Sequence, residues 1–198
     1  MERHGEIFVS ESTRKAVLDA IRWDINHGRI DDIERAIVFF RERIEGRYLK
    51  PIRQLNKDPF KNGFASMALC CLLIDTFYQF EHGVMKTREN KDCYTSFLWN
   101  NLRDIFDTKK RAERFYKDIR CGILHSAQTY NGSRLSCDQR EIIIPIKRGY
   151  NAPISVSVIG FSNRLERYFE DYCVRLRYDD ETQRNFANKI VVMFGDAH

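Results

Sequence analysis

The stretch Thr108–Thr129, TKKRAERFYKDIRCGILHSAQT, decides how this chain is read. At about 100° per residue, Ala112, Phe115, Tyr116, Ile119 and Ile123 fall on one side, as a helix facing a core requires. Lys117, Cys121, Leu124 and Gln128 gather on roughly the opposite side, with Glu113 and Arg114 flanking. Arg120 and His125 stand at the two edges of that second face, about 140° apart on an ideal helix. They do not stack as an i, i+4 pair would. The spacing suits two side chains reaching round one ligand, or two copies of the helix facing each other. Gly122 between them permits a local kink or a close helix approach. Leu124 gives the face an apolar spot for another helix or subunit. Arg and His near a helix C-terminus also oppose the helix dipole, so spacing alone does not make a site.

Outward from this helix, the N-terminal half reads as helical. Ser10 or Ser12 caps a first helix reaching about His27, with Gly28 as its stop. Asp31 and Glu34 form a capping-box start for a second helix, with Ile33, Ala36, Ile37, Phe40 and Ile44 inward and Gly46 as its end. Pro51 fits the first turn of a short segment, and Asp58-Pro59 marks a turn. Phe60 to Phe80 is apolar nearly all round, which predicts a central helix covered on several sides. Asp75 within it reads either as a solvent-facing edge position or as a group supporting Arg120 and His125; a carboxylate there needs a partner or water. Glu81–Asp92 reads as a loop, 94–106 as a helix with Phe97, Leu98, Leu102, Ile105 and Phe106 inward, and Asp107-Thr108 as a tight link.

After the long helix the grammar changes. Asn131-Gly132 is a turn signal. Glu141–Ile146 is β-rich, and Pro145 predicts an edge strand. Ile154, Val156 and Val158 alternate with Ser155 and Ser157, the pattern of a half-buried strand. A small antiparallel hairpin or sheet over about 133–159 is expected, then two helices over about 161–194. Ser162 or Asn163 caps the first of these, and Asp180 with Gln183 opens the second.

Composition bounds the rest. The 198 residues are 43% hydrophobic and 13% aromatic, enough for one domain over 1–198 with a real core. The net charge of +5 permits contact with a polyanion without demanding it. No C-x-x-C pair occurs among the six cysteines, and Cys70-Cys71 read as buried small hydrophobes. With Glu2, Arg3, His4 and Glu6 before any apolar run, the N-terminus carries no signal peptide, so reduced thiols and a cytoplasmic location are expected. The longest apolar run, Phe64–Ile74, is too short for a membrane span. His4, His27, His82 and His198 show no metal-ligand spacing, and no Gly-rich phosphate loop occurs, so neither metal nor cofactor is expected.

The region from about Phe64 to Thr129 resembles the HEPN superfamily (higher eukaryotes and prokaryotes nucleotide-binding). These are helical bundles with an arginine and a histidine four to six residues apart near the end of a late core helix. FYKDIRCGILHSAQT supplies Arg120 and His125 with four residues between, and the apolar helix with its acid (LLIDTFYQF), the polar loop and the aromatic-rich helix (FLWNNLRDIF) come in the same order. The chain departs from many active relatives at Cys121, where they carry a polar residue, and from a toxin subgroup at Ala127, where that subgroup has tyrosine.

The resemblance implies a mainly α bundle with a β insertion after the signature helix, and a metal-independent endoribonuclease cutting single-stranded RNA at a site shared across a homodimer. Toxin or antiviral effector roles, with an antitoxin or regulatory protein as partner, belong to the same implication. In such a site His125 exchanges the proton, as an imidazole does near neutral pH, and Arg120 holds phosphate oxygens as charge builds. Lys117 and Arg114 are expected to guide the RNA backbone, Gln128 to orient the histidine or touch a base, and Cys121 and Asp75 to support the pair. A non-catalytic HEPN-like module binding nucleotide, RNA or a partner protein is the other reading.

Overall fold

The computed structural model describes residues 23–24, 29–85, 90–138, 141–146 and 152–194. The first two strands, β1 (Trp23–Asp24) and β2 (Arg29–Ile30), form an antiparallel pair. Most of the expected first helix lies outside the described residues; within it, Trp23–Asp24 form a strand. Tertiary contact decides here: Ile30 is buried and its N–H donates to Gln183 Oε1 at 3.0 Å.

Helix α1 (Ile33–Ile44) is capped by Asp32, whose carboxylate accepts from the Arg35 N–H at 3.1 Å, so the cap sits one residue beyond Asp31. Gly46 does not end it. The chain runs through a π-helical turn, Glu45–Leu49, into α2 (Lys50–Leu55). Pro51 in the first turn of α2 has no N–H to donate and would crowd the carbonyl four residues back, and the widened turn lies just before it.

The central helix α3 (Pro59–His82) is capped by Asp58 and ended by Gly83 in the left-handed region at φ 62°. As expected of a central helix, it packs against α2, α4 and the last two helices. By length and composition alone it is long enough to cross a membrane, which the shorter run Phe64–Ile74 did not suggest; here Met67, Cys70, Leu73, Ile74, Phe77 and Phe80 are core.

Helix α4 (Asn90–Asn101) starts earlier and ends earlier than its apolar period implies. Its end is held from outside: Arg164 donates to the Asn101 carbonyl at 3.1 Å, and the Asn101 amide donates to the Phe97 carbonyl at 3.2 Å. Leu102 and Phe106 stay in the core from a turn. Thr108 then caps α5, a continuous run of Lys109–Arg114, a π turn Phe115–Arg120 and Cys121–Ser126.

A three-stranded mixed sheet follows, in the order β3 (Arg134–Ser136), β5 (Ile154–Ser157), β4 (Ile143–Pro145). Pro145 is on an edge strand as expected, but β3 runs parallel to β5, so the element is not a simple antiparallel hairpin. The chain lays β4 on the far side before β5 returns through the middle. A central strand under helices is covered on both faces, so Ile154–Ser157 are all buried rather than half-buried. Ser157 caps α6 (Val158–Tyr178), which begins earlier than Ser162, and α7 (Asp180–Phe194) closes the bundle.

Aromatic residues from four helices meet in the core. The Phe40 ring lies 4.4 to 5.6 Å from those of Phe80, Phe169, Phe186 and Tyr172. The predicted α6 stripe, Leu165 to Leu176, is buried as drawn from the sequence. The fold is therefore mainly α, with the small sheet inserted after α5.

Candidate active site

The last turns of α5 meet the middle of α3, where Arg120, His125 and Asp75 come together. Arg120 Nη1 lies 3.5 Å from His125 Nε2, and its Nη2 lies 3.4 Å from Asp75 Oδ2. The 140° angular separation does not keep arginine and histidine apart. Helical side chains lean toward the N-terminus, so the His125 imidazole tips back toward Arg120, and the long arginine spans the remainder. The guanidinium can donate only to an Nε2 that carries no proton.

Arg120 is enclosed, with its side chain 11% exposed, and Asp75 16%, whereas His125 is exposed. Asp75 is thus not a solvent-facing edge group: it stands against the arginine. Burial pushes its carboxyl above the usual range, and Arg120 pulls against that. Burial opposes the Arg120 charge too, but Asp75 and the neighbouring tyrosines hold the guanidinium above its ordinary value, so it is fully charged. Both contacts are long, and Arg120 Nε and Asp75 Oδ1 have no hydrogen-bond partner among the described residues. The guanidinium is therefore held weakly, leaving both Nη groups able to turn onto an anionic ligand.

Beneath it lies an aromatic support. The Arg120 guanidinium sits 5.4 Å from the centre of the Tyr116 ring, a cation–π contact. Tyr116 in turn meets the fully buried Tyr94 edge-on at 5.3 Å. Cys121, half-buried, neighbours Tyr116, whose hydroxyl is pushed up mainly by burial and partly by that thiol. Sequence reading assigned Tyr116 only to the core face and did not single out Tyr94; the i, i+4 spacing of Tyr116 and Arg120 carried the signal for the first.

The other expected contributors divide. Lys117, midway along α5, and Gln128, just past its end, are both exposed. Arg114 belongs elsewhere: its guanidinium bonds Asp118 at 3.3 Å, and it lines a separate cavity of about 190 Å³ with Lys110, Arg111 and Pro145. The i, i+4 contact with the buried Asp118 turns it toward the sheet.

Asp118, unremarked in the sequence, is what fixes the end of α5. It is fully buried and accepts from Asn131 Nδ2 at 2.6 Å and Ser133 Oγ at 2.8 Å, besides Arg114. Its carbonyl accepts from the Tyr130 N–H at 2.9 Å. Ser133 Oγ also accepts from the Ile154 N–H at 3.1 Å, so the network reaches β5. Ala127 ends the helix in the left-handed region at φ 52°, and Asn131 and Gly132 follow at 53° and 76°, which suits Asn and Gly in a tight turn. The Ser126 and Tyr130 hydroxyls share a hydrogen bond beside His125.

Gly122 is required by this reversal. A Cβ there would stand 2.4 Å from the Gln128 carbonyl oxygen and 3.2 Å from Thr129 Cα. Gly122→Ala is expected to destabilise the fold by about 1–3 kcal/mol, read from urea denaturation. A variant as stable as wild type would show that the loop gives way freely. Asp75→Asn tests the acid. Since folding raises the Asp75 pKa, the folded state takes up its proton more readily, and this contribution favours folding at low pH and fades as pH rises through the folded value. Wild-type stability relative to Asp75→Asn is therefore expected to fall as pH rises above the ordinary aspartate value, about 4. A difference that grows instead would mean Arg120 outweighs burial.

Among the described residues, no group of three His, Cys, Asp or Glu side chains gathers to hold a metal ion, and the six cysteines are free thiols. Compared with known proteins, the chain matches no family model, no curated protein and no solved structure.

Proposed function

We propose that the protein is a metal-independent endoribonuclease of HEPN type, acting on single-stranded RNA, with Arg120 and His125 as its reacting groups. The observation that carries this reading is the meeting of an enclosed, weakly held arginine with an exposed histidine. An RNA strand brings its own nucleophile: the 2′-oxygen attacks the adjacent phosphorus, the bond to the 5′-oxygen breaks, and the products are a 2′,3′-cyclic phosphate and a 5′-hydroxyl. The proton leaving the 2′-hydroxyl goes to a neutral imidazole, and the 5′-oxygen takes one from a protonated imidazole. The Arg120 Nη groups neutralise the charge that builds on the phosphoryl oxygens. Asp75 and the Tyr116 ring position that guanidinium.

Two proton transfers at opposite sides of phosphorus call for two imidazoles, which favours a homodimer. Leu72, one turn before Asp75 on α3, is 42% exposed, and Leu124 on α5 is half-buried. They give the site an apolar margin that a second copy would cover. Roles as a toxin or antiviral effector, with an antitoxin as partner, follow from the same family resemblance. The test is cleavage of single-stranded RNA and of the matched DNA in EDTA. RNA with a cyclic-phosphate end and intact DNA support the reading, and RNA left whole sinks it.

Cys121 favours a second reading, a module that binds RNA or nucleotide without cutting it. Its thiol is a poor hydrogen-bonding group where a polar residue would hold substrate. Under that reading, RNA binds, depends on Arg120, and stays intact.

A further inference from the structure

At the far end of α3 lies a cavity of about 360 Å³, between the first turns of that helix and the sheet. Its size falls within the usual range of small-ligand sites, ~300–1,000 Å³. Phe60 and Phe64 stand one turn apart on its helical wall and are 88% and 45% exposed. Other phenylalanines in α3, such as Phe77 and Phe80, are buried, so these two rings are held in water by a helix that had core positions to offer. Across from them the wall is β3, with Arg134, Leu135 and Ser136. Only one edge of β3 is paired among the described residues, which leaves peptide donors and acceptors on the other.

Arg134 sharpens the chemistry. Arg41, Arg53, Arg111, Arg114, Arg164, Arg175 and Arg177 each bond a carboxylate. Arg134 pairs with β5 through its backbone, but its side chain is exposed and makes no ion pair or hydrogen bond among the described residues. Two open aromatic faces beside an uncommitted guanidinium and free peptide groups match an unpaired nucleotide: the rings stack on the base, the cation meets the phosphate, and the strand edge meets the base edge. A peptide adding to β3 would use the edge and the rings but leave the cation unmatched.

We infer that this cavity is a nucleobase-binding subsite for single-stranded RNA, separate from the Arg120–His125 pair. It rests on the proposal that RNA is the ligand but not on cleavage. Phe64 and Asp75 are eleven residues apart, which returns them to within about 20° on one side of α3, some 16 Å apart along its axis. One strand can lie across both.

The experiment is fluorescence anisotropy with a labelled single-stranded RNA 12-mer, in the His125→Ala background so that the probe stays whole. Phe60→Ala with Phe64→Ala is expected to weaken binding about tenfold or more, with the salt dependence unchanged. Phe60→Trp is expected to restore it, since an indole stacks and an unfolded protein would not recover. Arg134→Gln is expected to weaken binding and lower the salt slope by about one. Wild-type binding by the double-alanine protein overturns the inference, and cleavage that still needs His125 would then leave the ribonuclease reading standing. Binding lost in these variants with no cleavage by the wild type does the reverse. No RNA binding by the parent protein sinks both. If Phe60→Ala converts a dimer to a monomer in sedimentation while binding per protomer holds, the face is an interface between copies, and the subsite is wrong.

Discussion

His125→Ala is expected to cut the rate of RNA cleavage by about 10²–10⁴-fold, the usual contribution of a positioned acid or base. His125 is exposed in the last turn of α5, and its one described contact is with Arg120 at 3.5 Å, so removing it leaves the fold intact and the thermal midpoint unchanged. Arg120→Ala is expected to cost about 10²–10³-fold through lost charge stabilisation. It also leaves Asp75 enclosed without its cation, so folding is checked by near-ultraviolet circular dichroism. Arg120→Lys separates charge from shape: an ammonium keeps the charge but not the planar fork, and most of the loss should remain. Because the two residues act on one transition state, the double variant should lose little more than the worse single one. The measurement is initial rate on a quenched fluorescent RNA in EDTA. Variants that cleave as fast as the parent would place the activity elsewhere.

Asp118→Ala is expected to destabilise the protein by about 3–5 kcal/mol, the range for breaking a buried charged pair. The carboxylate gathers Arg114, Asn131 and Ser133, and no part of it reaches water. Its loss leaves three donors facing a void, and Ser133 also holds the Ile154 N–H of β5. Asp118→Asn keeps the shape but points an amide N–H at donors, so an intermediate loss is expected. Urea denaturation gives the values. A loss below about 1 kcal/mol would mean that water replaces the carboxylate readily.

The parts of the fold written in periodicity were legible. Ala36, Ile37, Phe40 and Ile44 of α1 and the stripe Leu165 to Leu176 repeat at the helical interval and are buried, and the apolar run of α3 supplies core from Met67 to Phe80 while its first turn stays exposed. What failed depended on partners distant in sequence. The end of α4 is set by Arg164, some sixty residues on. The parallel pairing of β3 with β5 is a choice of topology that alternation of side chains does not encode. At the site, Arg120 and His125 were readable as a pair, while Asp75 had two readings until the arginine was seen against it. Asp118 lay between two obvious residues and looked like any helical acid; nothing local marks a carboxylate whose donors lie thirteen and fifteen residues downstream.

The π turn Phe115–Arg120 has a consequence for how this chain compares with others. The Cys121 N–H reaches back to the Tyr116 carbonyl, so the turn holds one residue more than an α-helix would. It is a one-residue insertion absorbed without a break in the helix. Everything after it is out of phase, by about 100°, with everything before it. A gap-free alignment of this helix onto a regular one can match the stretch that starts at Thr108 or the stretch that ends at Ser126, but not both. The Arg–His interval begins on the last residue of that turn, Arg120, and runs from there along the regular helix to His125.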